Sequence, residues 1–226
     1  MSLQSILAIA ESVSINDHKF AGQMLSRNMR ISTSEILTVQ PFQFGIKPMN
    51  YLLYSQNRSV LSSLRTADRI TEQYLNFGTT GWVNYIGYLG DMTSVQANAT
   101  TIEVGTVNKT IVLGTLPSIS SSAYIVKVGD FIQIDRYAYI ATASVQRGGS
   151  STVNIPVHRT ILTTVSSQLP AVIGQYGTTT SLGGSTYTGI TFPVVLREYP
   201  SYNLVPMTND SFIAWDGAFN AYEVVL

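Results

Sequence analysis

Between Tyr124 and Val157 the chain runs in short apolar–polar alternations, each broken by turn formers. This stretch constrains the fold more than any other. Its pattern reads as three short strands. In Phe131–Asp135, Ile132 and Ile134 point one way, and Phe131, Gln133 and Asp135 the other. Asp135-Arg136 makes a turn, and Tyr137–Val145 is a second run of aromatic and β-branched residues. Gln146–Ser151 supplies a reversal, and Val153, Ile155 and Val157 give a third strand with one apolar face. Three strands sharing an apolar face can stand alone, whereas a single hairpin is marginal. The module is therefore expected to be self-contained, with a larger β-rich body around it.

The rest of the chain supplies that body and little helix. Leu3, Ile6, Leu7 and Ala10 fall at helical spacing and predict a short amphipathic helix over residues 2–12. Residues 30–47 look extended. Pro41 and Pro48 bracket Phe42–Ile46 and make it an edge strand or connector. Asn57 is placed to cap a helix from Arg58 to Arg65, with Val60, Leu61 and Leu64 on one side. Ile70–Phe77 returns to strand, and Gly78, Gly81, Gly87 and Gly90 punctuate an aromatic segment. The small polar run Thr93–Thr101 marks a boundary. Ile102–Leu116 reads as one or two strands turning at Asn108-Lys109. From Thr160 to Leu196 no residue is charged. That segment is either an extended arm on a neighbouring subunit or a flexible loop, and its aliphatics favour the arm. Phe192–Arg197 and Ser211–Trp215 are strands, and Asp216-Gly217 reads as a hairpin turn into a returning strand Ala218–Leu226.

Only 12% of the 226 residues are charged, about half the usual ~25%, and the formal net charge is zero. Such a surface tends to associate. Burial against other subunits is the expectation, and a monomer with a Ser/Thr/Asn-rich surface is the other reading. From Lys19 to Arg69, the bases Lys19, Arg27, Arg30, Lys47, Arg58, Arg65 and Arg69 outnumber Glu35 and Asp68. Glu198, Asp210, Asp216 and Glu223 outnumber Arg197 at the other end. Opposite ends of identical subunits can meet head to tail, the contact that builds rings; equally, both sets are simply solvated. The apolar run Ile6–Ala10 lacks a basic leader and is too short to span a bilayer, so no membrane insertion is expected. The Asn-x-Ser/Thr triplets at Asn57, Asn98, Asn108 and Asn209 are read as products of a polar composition.

Chemistry is sparse. With no cysteine and only His18 and His158, neither a thiolate nor a recognisable zinc spacing is available, and no metal or cofactor is expected. His158 follows the third strand, points away from its apolar face, and has Arg159 beside it to disfavour its protonated form. A triad drawn through His158 and Asp135 lacks any nucleophile elbow. Asp130 and Asp135 are a formal carboxylate pair, but Asp130 follows Gly129 in a turn where Asp is common for backbone reasons. Trp82, Tyr85 and Tyr88, or Tyr137 and Tyr139, make a sugar platform or, as the commoner case, half-buried strand residues. No basic patch dense enough for nucleic acid is present. The chain is not expected to be an enzyme.

Gly129, Asp130, Phe131, Ile132, Gln133, Tyr139, Ile140, Pro156 and Arg159 match a small β insertion that recurs in tail and baseplate proteins of tailed bacteriophages. There a Gly-Asp-aromatic-Ile-Gln strand precedes a Tyr-containing strand, a Gly/Ser turn and a strand ending in Pro-x-x-Arg. Residues 194–226, with Trp215-Asp216-Gly217, Phe219 and Glu223, resemble the closing strands of the same proteins. Residues 27–58 are similar to contractile-tail baseplate and tube-like components. The resemblance implies a mainly β, tail-tube-like sandwich or barrel body with one or two short N-terminal helices. That body would be built from residues 1–95 and 175–226, with residues 96–174 inserted as a peripheral β module. It also implies a virion protein, assembled in the host cytoplasm, forming a trimeric or hexameric ring at the tube–baseplate junction. Its neighbours would be the tail tube protein, the hub and the wedge or sheath proteins. The other function carried forward is a carbohydrate-binding β module of a tail fibre or tailspike.

Overall fold

The computed structural model describes residues 3–17, 21–25, 31–35, 41–66, 70–179 and 182–225. The expectations for His18, Lys19, Arg27, Arg30, Asp68, Arg69 and Leu226 lie outside these residues, as do those for positions 36–40 of the extended run. The fold is mainly β, with short helices at Leu3–Leu7, Tyr54–Thr66 and Ser94–Ala99 among the described residues. The chain divides into two compact units. One is split, Met1–Gln73 with Val194–Leu226, and the other is continuous, Tyr74–Pro193. The divisions thus fall at 73/74 and 193/194, where the sequence reading placed them at 95/96 and 174/175.

The split unit is organised around a central strand. Gln43–Pro48 lies between Ala10–Asn16 and Phe219–Glu223, antiparallel to both, and Thr191–Leu196 follows Phe219–Glu223 in the same sheet. It is therefore a central strand rather than the edge expected from its prolines. The reason is positional: Pro48 is the last paired residue, opposite Ala10, and Pro41 precedes the strand, so neither removes an interior N–H. Phe42, Phe44 and Ile46 are fully buried, each contributing roughly 1.5–3 kcal/mol of transfer free energy. The first helix stops at Leu7, and Ala10 opens a strand instead of extending the helix, because Val13 and Ile15 alternate with polar residues. Helix Tyr54–Thr66 starts before Asn57, whose side-chain amide donates back to the Leu53 carbonyl from within the first turn. The cap is remote: Asp210 accepts from the Ser55 N–H and hydroxyl. A carboxylate there also suits the positive end of the helix dipole.

Asp216-Gly217 is not a hairpin turn. Ser211–Trp215 pairs with Tyr202–Pro206 and Leu52–Leu53 in a three-stranded sheet. Phe219–Glu223 belongs to the sheet of Gln43–Pro48. The Asp-Gly pair carries the chain from one sheet to the other, Asp216 donating its N–H to Ser201 and accepting from Asn203. The true hairpin turn is Met207–Asp210, with Asn209 at φ 76°. A separate two-stranded ribbon pairs Ala21–Leu25 with Ile31–Glu35.

In the continuous unit the hairpin Phe131–Ile134/Tyr137–Ile140 turns at Asp135-Arg136 as expected, with Asp135 at φ 55°. The predicted three-stranded sheet does not form. Val153–Pro156 pairs with Thr110–Gly114, and touches the hairpin through the bridge Ala141–Val157. Phe131–Ile134 takes Val172–Ile173 on its other edge, and Tyr124–Val126 pairs with Val145–Gln146. All four residues Phe131–Ile134 are buried, so both faces of that strand are covered. The uncharged segment is neither an arm nor a free loop where it is described. Leu169–Pro170 pairs with Thr101–Ile102, and Val165, Val172, Leu182 and Ile190 are buried in their own unit. The Thr93–Thr101 boundary is a capped helix, Thr93 and Gln96 forming a reciprocal capping box.

Candidate functional site

Of the three residues weighed for chemistry in the sequence and set aside, Asp130 and His158 hydrogen-bond backbone groups through their side chains. Asp130 is 1% exposed. One oxygen accepts from the Leu89 N–H at 2.7 Å and the other from the Lys127 N–H at 2.7 Å, closing the turn that Gly129 opens at φ 94°. Burial pushes its carboxyl above the usual range, against the pull of the N–H groups of Lys127, Leu89 and Gly90. Asp135 sits exposed in the hairpin turn at the far end of the same strand. Four strand residues lie between Asp130 and Asp135 and put their Cα atoms about 16 Å apart, well beyond the ~5 to 9.5 Å that paired-carboxylate hydrolysis uses. His158 is a clasp on Ile140. Its Nδ1 accepts the Ile140 N–H at 3.0 Å, and its own N–H donates to the Ile140 carbonyl. Burial first, and Arg159 second, lower its pKa to about 3, so the imidazole is neutral at pH 7.

The side chains that sequence reasoning passed over hold the unit together. Gln133 is fully buried. Its carbonyl accepts the Thr191 N–H at 2.8 Å, and its amide donates to the Thr191 and Asp135 carbonyls. One side chain thus stands in for a missing stretch of strand. Arg159, 1% exposed, donates to the Ala138 carbonyl at 2.7 Å and lies 5.2 Å from the Tyr139 ring centre. Polar residues inside an apolar run were the available signal. Gln133 was read as sharing a face with Phe131 and exposed Asp135, whereas both faces of Phe131–Ile134 are buried.

The aromatic candidates separate. Tyr137 and Tyr139 are buried, and Tyr139 accepts the Leu162 N–H, so that pair offers no platform. Tyr88 is half-buried and donates its hydroxyl to the Ile125 carbonyl; burial pushes its phenol up. Tyr85 is 42% exposed, with its ring 5.3 Å from that of Phe131. A cleft of about 360 Å³ between residues 105–108 and 161–165 carries hydroxyls and aliphatics but no ionisable side chain. Among the described residues no three His, Asp or Glu side chains gather as a metal site, and no helix is long and apolar enough to cross a membrane.

What the split unit does offer is strand edge. Ala10–Asn16 is an edge guarded by a register shift between Ala10 and Ser12 and by Glu11, paired with Lys47 at 3.0 Å. Tyr202–Pro206 is an edge in unbroken register, uncharged, with Leu204 and Val205 each 45% exposed. The ribbon Ala21–Leu25/Ile31–Glu35 pairs only with itself among the described strands. The charge polarity is partly consumed at home: Lys47 pairs with Glu11, Asp210 caps a helix, and Glu223, 4% exposed, accepts the Phe42 N–H. No protein-family model matches the chain, and no curated protein matches it.

Proposed function

We propose that this chain is a structural component of a phage contractile tail, in the baseplate hub or tube-initiator region. Copies of it, three or six to a ring, would link the tail tube to the baseplate, with the hub, wedge and sheath proteins as further neighbours. It would be assembled in the host cytoplasm and located in the tail or baseplate of the virion. The observation that carries this reading is the Ala21–Leu25/Ile31–Glu35 ribbon, which has no third strand among the described residues. A lone two-stranded ribbon is marginal in water, and a neighbouring copy that adds to it supplies directional backbone bonds around an axis. The low charge and the resemblance over three segments support the same reading. In its motif, Gly129, Asp130, Gln133 and Arg159 serve as internal latches, which suits a scaffold.

The test is the mass and shape of the purified chain, alone and with tube and hub proteins, at low and high salt. A discrete ring or a salt-sensitive co-complex is expected. A compact monomer that ignores those neighbours defeats the reading. The half-exposed Tyr85 favours a second one, a carbohydrate-binding module. Glycan retention lost in Trp82→Ala and Tyr85→Ala would move the assignment there.

A further inference from the structure

Beside the bare edge Tyr202–Pro206 lies a groove of about 270 Å³, lined by Leu61, Leu64, Tyr199, Pro200 and Tyr202. A smaller cleft of about 130 Å³ adjoins it, lined by Tyr54, Arg58, Leu61, Ser62 and Tyr202. Tyr202 and Leu61 line both, so edge, apolar groove and guanidinium are continuous through the first residue of the strand. We infer that this surface takes an extended segment of a different protein by strand addition, with a bulky apolar side chain in the groove and a carboxylate at Arg58.

Each part of that chemistry has its residue. The edge is five residues, about 17 Å, enough to pair a segment of similar length. It lacks the charge and the register shift that guard Ala10–Asn16. Main-chain bonds to such an edge give affinity, and pockets for alternate side chains give specificity. Arg58 stands in the cleft with no ion pair among the described residues. Arg is the side chain suited to bidentate capture of a carboxylate. Because strand residues two apart share a face, the anchor and the carboxylate fall at positions i and i+2 of the incoming segment. A second copy of this chain is the competing donor, to be told apart by the test below; Glu11, Asp91, Asp210 and Asp216 are paired or hydrogen-bonded within their own unit, and Asp130 and Glu223 are buried, so these six do not supply the carboxylate. The inference does not draw on the tail reading, and a ring bears on it only if Leu204→Lys abolishes that ring.

The full chain is screened against a randomised ten-residue peptide library displayed on yeast, with Arg58→Glu in parallel. Expected is enrichment of an acidic residue two positions from a bulky apolar one, and a switch to Lys or Arg at that position for Arg58→Glu. The consensus peptide should lose at least ~10-fold in affinity when its alternate amides are N-methylated, since strand addition uses them. No enrichment, enrichment indifferent to Arg58, or binding indifferent to N-methylation overturns the inference. So does self-association of the unmodified chain that Leu204→Lys abolishes, which assigns the edge to a second copy. Arg58 and Leu204 are exposed, and matching circular dichroism spectra confirm that both variants fold.

Discussion

The two units solve the same problem, what to do with backbone groups that no strand covers, in opposite ways. The continuous unit turns side chains inward: Asp130, Gln133, Asn76 and Arg159 bond main-chain groups inside it. Among the described residues, the split unit leaves the edges of Tyr202–Pro206 and of its ribbon open. A buried amide without a partner costs about 1–3 kcal/mol, whereas an exposed one is satisfied by water or by the next chain. The split unit therefore carries surfaces on which assembly can act.

This contrast breaks most readily at Gln133. Gln133→Leu strands the N–H and carbonyl of Thr191 and should cost about 4 kcal/mol in urea unfolding, two orphaned groups at once; a loss under 1 kcal/mol would mean the latch is ornamental. The next effect is acid sensitivity at His158. Its folded pKa of about 3 lies below the unfolded 6.5, so between those values the unfolded state takes up the proton first. Stability should be flat above pH 7 and fall as pH drops from about 6.5 toward 3, by at most about 5 kcal/mol. His158→Gln, measured across the same range, should lose that slope. Glu223→Gln in the split unit keeps an acceptor for the Phe42 N–H but gives up the charge, and about 1–2 kcal/mol is expected by thermal denaturation. Leu204→Lys should change unfolding by no more than about 0.5 kcal/mol while it reduces binding at the edge. Trp82 lies in one unit and Trp215 in the other. Fluorescence of Trp82→Phe and Trp215→Phe variants therefore reports which unit each substitution weakens.

Local turns were legible in the sequence because their chemistry is local. Asn108-Lys109 and Asp135-Arg136 turn where expected, with Asn108 at φ 56° and Asp135 at φ 55°, the left-handed region that Asn and Asp tolerate. The run Thr93-x-x-Gln96 carried a helix-start signature and was read as a boundary because its residues are small. Pairing was not legible. Val153–Pro156 has the same apolar face whether its neighbour is Tyr137–Ile140 or Thr110–Gly114, and alternation does not name the partner. Asp216-Gly217 failed for a related reason: the dipeptide reverses a chain between two strands of one sheet, but here the strands on either side belong to different sheets. For the candidate site, the isolation of Asp130 in a turn was readable. The burial of Gln133 depended on Thr191, 58 residues away.

That short passage through Asp216-Gly217 has a mechanical meaning. Tension on the exposed strand Tyr202–Pro206 reaches its neighbour Ser211–Trp215 and then, after Asp216, Gly217 and Ala218, Phe219–Glu223 inside another sheet. Antiparallel hydrogen bonds run perpendicular to their strands, so a pull along the strand axis loads the five paired positions together, and a pull across it opens them one at a time. The unit should be stiff in one direction and compliant in the other. Force spectroscopy with handles placed along and across Tyr202–Pro206 would detect that anisotropy, and equal rupture forces would refute it.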